Sequence, residues 1–148
     1  MARRILLQDL QMTTGNIVHE ASHDIESFIW VLLYCVMRNL YHHASQRSAP
    51  KEVRDQCHAF RYLLRQTFGQ TITKAIALQR QSGFYGLTFP GDPEVNQIIT
   101  HFMSNALVAL FKDIEGLIYR AMDPFTNTNP LTYDALLSVV CHKLESLP

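Results

Sequence analysis

Apolar positions recur at three- and four-residue spacing along most of this chain, which is the signature of helices packed on one face. From Arg3 to Met12 the pattern allows a short helix, and Thr13-Thr14-Gly15-Asn16 reads as a turn. Ser22 then offers an N-cap, with Asp24 and Glu26 in the first turn, where carboxylates meet the positive end of the helix dipole. The helix they open runs to about Leu40 and is apolar on every side, so it is expected at the centre, enclosed by others. Ser45 to Pro50 is a polar break, with Pro50 suited to the first turn of a second helix. Val53, Cys57, Phe60, Leu63, Leu64 and Phe68 share one face of that helix, which Gly69 closes. A shorter helix is predicted over Ile72 to Gln81. Phe84 to Pro93, rich in Gly, Pro and aromatic residues, is the main internal loop.

Asp92-Pro93 opens the longest predicted helix, a cap followed by Pro at the first helical position. Its apolar spacing holds from Val95 through Ile98, Phe102, Leu107, Phe111 and Ile114 to Ile118, and Asp123-Pro124 stops it. Thr132 caps a last helix in which Tyr133, Leu136, Leu137, Val140 and Leu144 share a face. No segment shows strand alternation. The expected fold is all-α, about five helices in a single domain spanning residues 1–148.

Composition narrows the class. With 47% hydrophobic and 18% charged residues the chain can fill a core and is not of the disordered type. Its longest apolar run, Phe28 to Met37, has ten residues. A membrane span needs roughly twenty, so no membrane partner is expected. Thirteen basic residues balance thirteen acidic ones, which makes nucleic acid an unfavoured partner. The charge is nevertheless uneven. Arg38 to Arg80 holds eight basic residues against two acidic, and Asp92 to Glu145 holds seven acidic against three basic. Such asymmetry either marks a surface for a protein partner or reflects two solvated helix faces of opposite sign. Cys35, Cys57 and Cys141 are odd in number and unpatterned. That favours buried, reduced thiols in an intracellular setting, cytoplasmic or nuclear. No secretory leader is legible.

Two chemistries compete for one segment. His19-Glu20-Ala21-Ser22-His23 spells H-E-x-x-H, in which residues four apart on a helix hold zinc and the Glu activates its water. With Ser22 as cap, however, His19 precedes the helix, and Glu26 stands where the longer protease pattern has Gly. A zinc hydrolase through His19, Glu20 and His23 is therefore the minor alternative. His42, His43, His58, His101 and His142 have no ligand spacing, and no Gly-rich phosphate loop is present. The aromatic loop Phe84 to Pro90 serves either to bind or to pin a long connection to the core.

The stretch Ser22-His23-Asp24-Ile25-Glu26-Ser27-Phe28-Ile29-Trp30-Val31-Leu32-Leu33-Tyr34 resembles the F-helix of protein kinases, in the H-D-[IL]-E-S-F-x-[YW]-V-L variant of the fungal-type protein kinase family. Ile29 replaces the small Gly of many kinases. Met1-Ala2-Arg3-Arg4-Ile5-Leu6-Leu7 is similar to the stretch after the activation segment, with Arg4 where the family has a Glu that forms a buried ion pair. The resemblance implies a kinase C-lobe. It implies that Asp24 supports the catalytic loop through backbone hydrogen bonds, and that Val31 and Cys35 seat internal hydrophobic columns. On residue chemistry alone, Asp24 is a helix N-terminal carboxylate worth about a kcal/mol or less.

Phosphoryl transfer needs a Gly-rich loop, a lysine, a catalytic Asp and metal-binding Asp and Asn residues. In kinases these lie upstream of the F-helix, and none is legible here. The resemblance thus implies a piece of C-lobe that begins after the activation segment: a truncated gene product, a degenerate paralogue or a fragment. No cofactor is expected for this chain, and ATP and magnesium are implied only for a whole kinase. The expected partner is another protein or the missing N-terminal kinase half. The alternative is a self-standing helical interaction module using the basic Arg38–Arg80 face or an apolar groove.

Overall fold

The computed structural model describes residues 21–70, 93–122 and 131–145. Every regular element among them is α-helical: α1 (Ala21–Ser45), α2 (Lys51–Asp55), α3 (Cys57–Phe68), α4 (Pro93–Phe102), α5 (Asn105–Met122) and α6 (Tyr133–Glu145). The readings of residues 1–20 (His19 and Glu20 included), of the 72–81 helix and of the aromatic loop lie outside the described residues.

α1 is the pillar of the fold. Ile25, Ile29, Leu33, Met37, Leu40 and Ala44 recur every three or four residues and are buried, so one side of the helix faces inward over its whole length. The helix continues beyond Leu40 to Ser45, because Ala44 still packs and Ser45 Oγ donates to the His42 carbonyl at 2.9 Å. His42 and His43 occupy its last turn, where the dipole is negative. Ser22 lies inside the first turn rather than at the cap.

Aromatic contacts fix how α3 meets α1. Tyr41 stacks on Phe60 with centroids 6.4 Å apart, while Trp30 and Tyr34 meet Phe68 edge-on at 6.2 and 5.2 Å. Numbers rise on one helix as they fall on the other, so the two run antiparallel. α4 packs on both α1 and α3, and His43 stacks on Phe102 at 6.2 Å. α5 pairs chiefly with α6, and Lys143 Nζ lies 2.9 Å from Asp113 Oδ2 across that pair. The buried side chains of all six helices form one cluster, in which Phe60, Phe111, Ile98 and Ile114 are almost fully enclosed.

Two predicted helices are each divided. The second breaks at Gln56, whose tightened turn bonds its N–H to the Val53 carbonyl at 3.3 Å, leaving α2 and α3 on either side. Before it, Arg54 Nη1 donates to the carbonyls of Arg47 (2.6 Å) and Ala49 (2.8 Å), holding the 46–50 turn. The long helix after Pro93 breaks at Ser104. The Ser104 Oγ accepts the Leu107 N–H at 3.3 Å, so this residue caps a new helix in the middle of an unbroken apolar pattern. Thr132 caps α6 as expected, its Oγ1 accepting the Ala135 N–H at 3.2 Å.

Candidate functional site

α1 is not enclosed on every side. Its described neighbours α2, α3 and α4 cover the stripe through Ile25, Ile29, Leu33 and Met37. The opposite stripe carries Phe28 and Val31, each 59% exposed, together with Tyr34 and Cys35. Val31 and Cys35, the two positions that the kinase resemblance assigns to internal columns, are thus both at the surface. Asp24 is exposed in the first turn, in register with Phe28 and Val31 on the same side of the helix. His23, its neighbour in sequence, is buried.

The expectation of buried thiols also needs correcting. Cys35 and Cys141 are exposed, and only Cys57 is partly covered. Cys35 lies on the uncovered side of α1 and Cys141 on the outer side of α6. Cys57 sits in the first turn of α3, where its Sγ–H reaches the Val53 carbonyl at 3.7 Å. Burial there raises its pKa above the ordinary 9.0, because desolvation disfavours the thiolate. His58, its neighbour in sequence, faces solvent.

Beside the outer stripe lies a groove of about 290 Å³ between α1 and the end of α3. Tyr34 and Arg38 line it from α1. Arg61, Leu64, Arg65, Phe68 and Gly69 line it from the other wall. Helical spacing puts Arg61 and Arg65 one turn apart on the same face. The antiparallel register brings Arg38 opposite them. Phe68, wedged against Trp30 and Tyr34, is part of the apolar floor. Gly69 ends α3 with φ −87° and ψ 4°, and a Cβ there would come within 2.5 Å of the Arg65 carbonyl oxygen. Glycine is therefore required by contact with the preceding turn, not by a left-handed backbone.

The basic excess after Arg38 was legible in the sequence, but the meeting of Arg38, Arg61 and Arg65 at one groove was not. The spacing of Arg61 and Arg65 was the available local signal. Among the described residues no three His, Cys, Asp or Glu side chains gather as a metal site, and no described helix is long and apolar enough to cross a membrane. Comparison with known proteins found no matching family model, curated protein or solved structure.

Proposed function

We propose that this chain is a helical docking body whose work is done by the outer stripe of α1, covered in the cell by another protein segment. The observation that carries this reading is the exposure of Phe28 and Val31, each 59%, on the same helix whose other side supplies the core. Each large apolar side chain moved from water into a contact is worth about 1.5–3 kcal/mol. A stripe holding Phe28, Val31 and Tyr34 is thus a sufficient nucleus for an interface whose energy rests on a few residues.

A more specific form of the proposal follows from the fungal-type kinase resemblance. Val31 and Cys35 would be covered by the upstream half of a kinase, with Asp24 bonded to its catalytic loop. In that assembly ATP and magnesium belong to the other half, and this chain is a catalytically incompetent C-lobe. The coincidence of the two implied column positions with the exposed stripe supports this form.

A photo-crosslinking amino acid in place of Val31, introduced in the native host, tests the reading. A discrete protein adduct is expected, lost when Phe28→Ser is added and unaffected by a change at exposed Asn39. If no adduct forms and the isolated chain melts at higher temperature with ATP and magnesium, docking is the wrong reading and nucleotide chemistry belongs to this chain.

A further inference from the structure

The groove between α1 and α3 has a chemistry of its own: it shares Tyr34 with the outer stripe, but Arg61 and Arg65 belong to α3, and tests at those two residues leave the stripe's Phe28 and Val31 intact. We propose that it binds a short acidic protein segment, seating an apolar side chain on Leu64, Phe68 and Tyr34 while flanking carboxylates meet Arg38, Arg61 and Arg65.

Three observations support this. Among the described residues the lining contains three guanidinium groups and no carboxylate. Arg61 and Arg65 are exposed, like-charged and one turn apart, an arrangement that disfavours the free helix. An anion between them reverses that sign, and guanidinium binds carboxylate through paired hydrogen bonds. The floor is apolar and aromatic, so the ligand must bring more than charge.

Size and overall charge decide among anionic ligands. At about 290 Å³ the groove is just smaller than ligand clefts, which span roughly 300–1,000 Å³. It therefore accepts one or two side chains of an extended chain. Nucleic-acid binders commonly neutralise about 6–10 phosphates along a basic surface. Here three arginines stand on a chain with thirteen basic and thirteen acidic residues. Charge complementarity over a short span favours an acidic segment of another protein.

The probe is a fluorescein-labelled peptide with Leu-Phe at its centre and three glutamates on each side, followed by fluorescence anisotropy on the intact chain. Saturable binding is expected, weakening with added salt. It should fall by about tenfold for each guanidinium–carboxylate pair removed. Arg61→Gln with Arg65→Gln should therefore weaken binding about a hundredfold while leaving the melting temperature equal or higher. Arg38→Gln on the opposite wall should weaken binding by itself, and carries the test if the double variant loses helix content. Replacing Leu-Phe by Ser-Ser should also weaken binding.

Equal affinity for the all-glutamine peptide, or undiminished binding by both arginine variants, overturns the proposal. So does tighter binding of a single-stranded oligothymidylate than of the peptide. So too does a dimer in sedimentation that dissociates in the double variant without any peptide binding, since the acidic ligand would then be a second copy.

Discussion

At the scale of single residues, the described core depends on a few large, fully buried side chains. Phe60 is fully buried and stacked on Tyr41. Phe60→Ala should cost about 3–5 kcal/mol, a large share of the ~5–15 kcal/mol that holds a typical domain together. Urea unfolding at a fixed temperature would measure it. Val31→Ser, by contrast, should leave the unfolding midpoint nearly unchanged, because more than half of the residue is already exposed. Cys57 gives a pH-dependent case. Its pKa is raised in the folded state, so its contribution is complete below the unfolded thiol's pKa, near 9.0, and is lost as pH climbs through the higher folded value. Unfolding free energy should therefore decline above pH 9.0 more steeply in the native chain than in Cys57→Ser. Under mild iodoacetamide treatment, mass mapping should find Cys35 and Cys141 modified before Cys57. Inward positions such as Phe60, Val95, Ile98 and Phe111 were legible from spacing alone. The exposure of Val31 was not, because a helix apolar on all sides does not declare which side its neighbours leave bare.

The helix start at Thr132 was easier to read than helix continuity, whereas Ser22, read as a cap, lies within α1. Thr132 announced its helix because a cap is a local hydrogen bond between a side chain and the N–H three residues on. Thr132→Ala should lower stability by about 1 kcal/mol, seen as an earlier thermal transition. Ser104 caps in the same way but was hidden, since Phe102, Met103, Ala106 and Leu107 carry the helical spacing straight across the break. Glycine divides into two cases. Nothing lies within 4 Å of a Cβ placed at Gly116 inside α5, so Gly116→Ala should raise the melting temperature, worth up to about 1 kcal/mol. At Gly69 the same substitution drives a methyl group into the Arg65 carbonyl and should lower it.

For the whole molecule, the packing partners rather than the helices set what the surface offers. The all-α class followed from periodicity, but the groove exists only because α1 and α3 run antiparallel, placing Tyr34 and Arg38 beside Arg61 and Phe68. Such a meeting of segments distant in the chain leaves no mark in local spacing. The same seam contains Trp30, 6% exposed and edge-on to Phe68, and it is the chain's only tryptophan. Its emission therefore reports water entry at this seam: blue while the indole is covered, shifted to the red once water reaches it. Opening of the seam can be timed without a label.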